Sequence, residues 1–191
     1  MKVPTPRTVV TFSKRDGPDA CVRMIIESLS MQPHPEGGWY TETFRDDDAA
    51  RSVHSTAIYF LLEEGQKSHW HRLKNASQVW HFYLGSPLEI STWQEGGAVS
   101  SVILGPEIQR LQRPQVIVPR DVWQSATPLG KFTLAGCTVA PGFDFTEFQL
   151  APPDWEPEDR NQHQALRRPC TQQDNGAGSS SETHYESYQC R

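Results

Sequence analysis

Apolar and polar residues follow two different periods along this chain. Near the start, Val22, Ile25, Ile26 and Leu29 recur at i, i+3, i+4 and i+7, the spacing of one apolar helical face. Pro18 suits the first turn of such a helix, where its missing N–H goes unused in any case. The pattern predicts a short helix from about Pro18 to Leu29, packed on the outside of the main domain. The following MQPHPEGGW (31–39) carries two prolines and two glycines and stops any regular element. Beyond it the signals are β. GWYTETFR (38–45) is short and aromatic. STAIYFLL (55–62) is an unbroken apolar run of strand length, which predicts a strand buried on both faces. VWHFYLG (79–85), PLEISTW (87–93), AVSSVILG (98–105), PQVIVPRDVWQSA (114–126) and KFTLAGCTVA (131–140) follow, each broken by Gly, Pro or polar residues. Short strands at close spacing with no helix between them predict a sandwich or a barrel. EFQLAPPDWEP (147–157) closes the domain.

Composition then sets boundaries. Residues 159–191 contain NGAGSSSE and almost no large apolar side chains, too few to offset the entropy of ordering, and read as a disordered tail. With a flexible segment over 1–17 and the tail over 158–191, the 191-residue chain is predicted to hold one domain, 18–157. The net charge of −5 argues against a nucleic-acid polymer or a membrane surface as partner. No apolar run is long enough to span a bilayer, and MKVPTPRTVVTFSKRDG has no secretory h-region. Cys21, Cys137, Cys170 and Cys190 are widely spaced, which fits free thiols in a reducing compartment and a cytoplasmic location.

Candidate chemistry starts at Ser68-His69-Trp70-His71. In a regular strand, residues i and i+2 share a face, so the two imidazoles would sit side by side. That suits two ligands on one metal, or a general base beside an orienting imidazole. Gln78, Trp80 and Phe82 would share one face of a second strand, and Val122, Gln124 and Ala126 one face of a third. Inward candidates for a ligand pocket are Tyr59, Trp80, Phe82, Trp123, Phe132 and Phe148, with His69, His71, Gln78 and Gln124 as polar groups. The PHPEGGWYTETFR segment is either a turn leading into an edge strand or an arm bringing Glu36, Tyr40, Thr43 or Arg45 to the pocket mouth. There Arg45 could pair with a ligand carboxylate or phosphate. His34 and His54 read as structural, and His81 as outward-facing. Cys137 lacks a basic neighbour and reads as a buried, inert thiol.

These segments carry a resemblance. PHPEGGWYTETFR (33–45), STAIYFLL (55–62), SHWHR (68–72), VWHFYLGSPLEI (79–90), VIVPRDVWQSA (116–126) and LAGCTVAPGFDFTEFQLA (134–151) are similar, in order, to the DUF985 or cupin-5 family within the RmlC-like cupins. The resemblance implies a mainly β cupin-type double-stranded β-helix (jelly-roll) barrel, here with a short N-terminal helix, and a homodimer; it implies no known reaction. Where the family commonly has Glu this chain has Gln78, and where it commonly has PAG this chain has PRD, with Asp121 in place of Gly. Gln124 stands where metal-binding cupins place their last His. The metal set thus reduces to His69, His71, Gln78 and Gln124, a weak donor set unless Glu147 completes it, so no cofactor is expected and a divalent metal is disfavoured.

Three functions follow from these residues. One is a module that binds a small polar molecule (a sugar, nucleotide sugar or nucleotide) without catalysis. Another is a metal-independent sugar isomerase or epimerase with His69 or His71 as base. The last is a metal-dependent cupin enzyme. A pocket histidine with a buried carboxylate partner would favour the second over the first.

Overall fold

The computed structural model describes residues 18–47 and 53–158; the expectations for residues 1–17 and 159–191 lie outside them. The helix α1 (Pro18–Ser28) is followed by β1 (Gln32–Pro33), β2 (Trp39–Asp47), β3 (Val53–Glu63), β4 (Ser68–Leu73), β5 (Ser77–Gly85) and β6 (Leu88–Trp93). Then come β7 (Ser100–Leu104), β8 (Gln115–Val118), β9 (Trp123–Pro128), β10 (Phe132–Ala140) and β11 (Phe148–Leu150). They form two antiparallel sheets, β1-β2-β3-β10-β5-β8 and β11-β4-β9-β6-β7.

The main core lies between the sheets. Phe60, Leu62, Trp80, Val118, Ala135 and Cys137 from the first meet Leu88, Ile90, Leu104 and Ala126 from the second. The sheets share no strand, so they are not closed by hydrogen bonds into the barrel the resemblance implied. Among the described residues, what stands is a mainly β, two-sheet fold with one short α-helix.

The outer face of the first sheet is covered by α1. Val22 and Ile25 pack there with Leu61 and Leu134, and with the half-buried Trp39, Tyr59 and Phe132. This explains why STAIYFLL lacks alternation: Phe60 and Leu62 face the inter-sheet core while Leu61 faces the helix. It also moves two expected pocket residues. Tyr59 and Phe132 belong to the helix-facing layer, because this sheet has two apolar faces to fill and not one.

β5 as far as Phe82, and β9, keep the period of two. Trp80 and Ala126 sit in the core with Val122, Phe82 packs against it, and Gln124 reaches Trp80 from the facing sheet. β4 does not. A register shift between Ser68 and His71 against β9 marks a bulge, and a bulge breaks the alternation of side chains across the sheet. Trp70 joins Trp93, Trp123 and Trp155 in a separate cluster.

Candidate functional site

The site is assembled around the turn joining β1 to β2. Gln32 pairs with Tyr40 and Pro33 with Trp39, and between them the chain reverses, with His34 N–H donating to Gly38 O at 3.0 Å and Gly37 N–H to His34 O at 3.0 Å. Gly37 (φ +109°) and Gly38 (φ +74°) take conformations that L side chains rarely adopt. A Cβ on Gly37 would also stand 2.4 Å from the Lys67 carbonyl oxygen. This close approach threads the turn against β4, where the Glu36 carbonyl accepts the His69 N–H at 2.8 Å.

Glu36 is thereby buried, 7% exposed. Its Oε1 accepts from Ser68 Oγ at 2.9 Å, and Oε2 lies 3.3 Å from His71 Nδ1 and 3.6 Å from His34 Nδ1. The two imidazoles relate to it differently. His71 Nδ1 also stands 2.8 Å from the His69 carbonyl oxygen. Two acceptors at one nitrogen require it to carry the proton, which leaves His71 Nε2 as the basic atom. His34 Nδ1 instead receives the Glu36 backbone N–H at 3.3 Å, so it is an acceptor and the proton sits on Nε2. Its 3.6 Å approach to the carboxylate would be an ion pair only if the ring were charged. Burial lowers the His34 pKa; Glu36 opposes the shift and the neighbouring His71 adds a little to it, so the net effect favours the neutral ring.

These three side chains line a cavity of about 280 Å³. Tyr40, Glu42, Arg45 and Thr56 contribute from β2 and β3, Gln78 from β5 and Cys137 from β10, with Phe143, Phe145 and Phe148 as an apolar wall. The volume sits just below the usual range for small-ligand pockets, about 300 to 1,000 Å³. Arg45 is already held by Glu42, with Nε at 2.9 Å from Oε1 and Nη2 at 2.7 Å from Oε2. The Cys137 thiol is completely buried and its pKa is pushed well up, chiefly by desolvation, so it is a poor nucleophile.

Of the residues expected at the site, Arg45, His71, Gln78 and Phe148 line the cavity, and Glu36 and Tyr40 from the expected arm join them. Others do not. His69 lies within the bulge, its Nε2 2.8 Å from the Pro152 carbonyl oxygen, so it is not beside His71 in the pocket. Trp80 is fully buried core and Phe82 packs against it. Trp123 packs against Trp155 with ring centroids 4.7 Å apart and planes tilted by 32°, and the Arg72 guanidinium lies over it at 4.8 Å. Gln124 is buried behind Gln78 and donates to it. Thr43 is exposed and bonds the Ala57 carbonyl oxygen.

His34, read as structural, is a cavity residue, and the phenylalanine loop was missed apart from Phe148. The Glu-Gly-Gly turn and the FDFTEF spacing were the available signals.

The donor set considered for a metal is not assembled. His69 is turned to Pro152, Gln78 and Gln124 are bonded to each other, and Glu147 lines a different cavity near Val53 and Asp144. Among the described residues, no group of three or more His, Cys, Asp or Glu is placed to hold a metal ion. No described helix is long and apolar enough to cross a membrane.

Comparison with known proteins places this architecture. No curated protein matches the chain. A solved structure of the protein SO0799 from Shewanella oneidensis is similar with a TM-score of 0.67 and 33% identity, over 74% of this chain and 91% of that one. A hypothetical protein from Leishmania major is similar with a TM-score of 0.60 and 24% identity, over 76% and 91%. The family model described as Cupin superfamily (DUF985) matches residues 23–151, which span both sheets and every residue of the cavity. The chain therefore belongs to the DUF985 family of the cupin superfamily.

Proposed function

We propose that the cavity binds a small, uncharged, sugar-like molecule and moves a proton on it, with His71 Nε2 as the base and Glu36 as its positioning residue. The observation that carries this reading is the buried Glu36 carboxylate 3.3 Å from His71 Nδ1. Together with the His69 carbonyl oxygen, a carboxylate there favours the tautomer whose Nε2 is free, and it stabilises the imidazolium that forms when Nε2 takes a proton. Burying a charge is costly, and Ser68 engages only one oxygen of this carboxylate, which leaves the other for His71. The chemistry uses only side chains of this chain.

Charge narrows the ligand. The cavity is lined by two carboxylates, Glu36 and Glu42, and one guanidinium, Arg45, which leaves one negative charge when both histidines are neutral. Arg45 is already paired with Glu42, so a phosphate or carboxylate finds no unengaged cation among the lining residues. This favours a neutral sugar over a nucleotide or nucleotide sugar, and the volume agrees. The three phenylalanines offer an apolar face to the C–H side of such a ring.

The test is a thermal-shift screen of neutral sugars and keto-sugars against nucleotides and nucleotide sugars. Stabilising compounds are then incubated with the protein in D₂O and followed by proton NMR. The expected result is stabilisation by an uncharged compound and exchange of one of its C–H protons, lost in His71→Asn. Binding without exchange would leave a pure binding module. We also propose that the two sheets form a jelly roll that pairs as a dimer through the β8 edge, where Ile117 is 64% exposed; a sedimentation mass of one chain would refute the pairing.

A further inference from the structure

Behind the cavity wall runs a chain of buried polar side chains that proton transfer by His71 leaves unexplained. Trp80 Nε1 donates to Gln124 Oε1 at 2.8 Å, and Gln124 Nε2 donates to Gln78 Oε1 at 3.0 Å. All three residues are buried, with Trp80 and Gln124 each 1% exposed. The polarity of this chain is forced. An indole N–H can only donate, so Gln124 must turn its oxygen to Trp80 and its NH₂ group to Gln78. Gln78 must then receive with its oxygen, which directs its own NH₂ group away from Gln124. Gln78 and the buried Cys137 thiol are neighbours, and both line the cavity. With its oxygen engaged by Gln124, the polar group Gln78 can offer a ligand in the cavity is its NH₂ group.

We infer that Gln78 is the recognition residue of the cavity, locked as a hydrogen-bond donor by Trp80 through Gln124, and that it selects a ligand carrying a carbonyl oxygen. The inference rests on the reading of His71 as a base and sharpens it to carbonyl compounds with a neighbouring C–H. The step balances without a co-reactant. The C–H bond breaks, its proton goes to His71 Nε2, and the electron pair forms an enolate whose oxygen is held by the Gln78 N–H. Return of the proton to the same carbon completes an exchange or an epimerisation; its return to the former carbonyl carbon, with the neighbouring hydroxyl proton passing to the enolate oxygen, completes an isomerisation. A fixed donor aimed at a developing oxyanion is worth more than a freely rotating one, because no reorganisation is needed as the charge appears. The lock also explains why an uncharged glutamine serves here. A carboxylate at this position would meet the enolate with a like charge.

The test uses dihydroxyacetone as probe and glycerol as its carbonyl-free counterpart, titrated into ¹⁵N-labelled full-length protein. The side-chain signals of Gln78 and the ring signals of His71 are followed by NMR. Both sets should move with dihydroxyacetone, at a concentration about tenfold below that needed with glycerol. In Gln78→Glu, an isosteric change that replaces the donor by an acceptor, the preference should vanish. In Trp80→Phe, which frees the two amides to flip, it should fall while the fold is kept. Equal responses to the two probes, or His71 signals that move while Gln78 signals do not, would overturn this inference and leave the proton-transfer reading standing. Silence of both residues toward dihydroxyacetone would overturn it too, while the sugar screen and D₂O exchange judge the proton-transfer reading separately.

Discussion

Replacing Glu36 separates its structural role from its chemical one. Glu36→Ala removes the acceptor of the fully buried Ser68 hydroxyl and the carboxylate beside His71 Nδ1. An unpaired buried hydroxyl costs about 1–3 kcal/mol, and each lost buried methylene about 0.8 kcal/mol. The sum is about 2–4 kcal/mol of stability. Glu36→Gln keeps the shape. Its amide oxygen can face His71 Nδ1–H while its NH₂ group donates to Ser68 Oγ, since a hydroxyl both gives and accepts. The stability cost should therefore stay under about 1.5 kcal/mol, the exchange of a charge-assisted hydrogen bond for a neutral one being offset by burying no charge. The imidazolium formed during proton transfer still loses its counter-charge, so exchange catalysis should fall by about ten- to a hundredfold in both variants. Urea unfolding gives the first quantity and NMR exchange in D₂O the second. Equal destabilisation by Ala and Gln would refute the reasoning, because it would mean that the charge itself, and not the hydrogen-bond pattern, holds the turn.

Two other outcomes follow. His34 binds its proton less tightly in the folded protein than at its ordinary value of 6.5, so the unfolded chain takes up more protons and stability rises with pH. Its contribution is complete above about pH 6.5 and is lost as the pH falls through the folded value; His34→Asn, whose oxygen can still accept the Glu36 N–H, should flatten the urea midpoint between about pH 5 and pH 7. Trp155 contacts Trp123, Trp93 and Trp70 at ring-centroid distances of 4.7, 5.6 and 6.1 Å, and Trp155→Ala should cost about 2–3 kcal/mol in a denaturant melt and quench the near-ultraviolet circular dichroism, with little effect on a cavity it does not line.

Much of the fold was written in local periodicity. The 3.6-residue spacing of Val22, Ile25 and Leu29 marked α1, which runs Pro18–Ser28. The two-residue spacing of Gln78, Trp80 and Phe82, and of Val122, Gln124 and Ala126, correctly put each set on the inner side. The candidate site was less legible because it depends on departures from periodicity. The bulge in β4 separates His69 from His71, and nothing in Ser-His-Trp-His announces it. Glu36 reaches His71 across 35 positions of sequence through a turn whose shape depends on the Lys67 carbonyl, a contact no local pattern encodes. Asp121 shows the same limit. Its φ of +60° explains why a glycine would be at home there, while its ion pair with Arg72 at 3.1 Å shows what this chain does with a side chain instead. Tyr59 and Phe132 were misplaced because an apolar residue in a strand does not reveal which of two apolar faces it fills.

The proposed base requires His71, held between the His69 carbonyl oxygen and the Glu36 carboxylate, to keep its proton on Nδ1 and its basic lone pair on Nε2. Long-range ¹H–¹⁵N correlation of the histidine rings, on ligand-free protein at a pH where both are neutral, reads this directly. A protonated Nδ1 and a bare Nε2 are expected for His71, and the opposite tautomer for His34 in the same cavity. A His71 ring protonated on Nε2 would contradict it, because the atom assigned as base would have no lone pair to use.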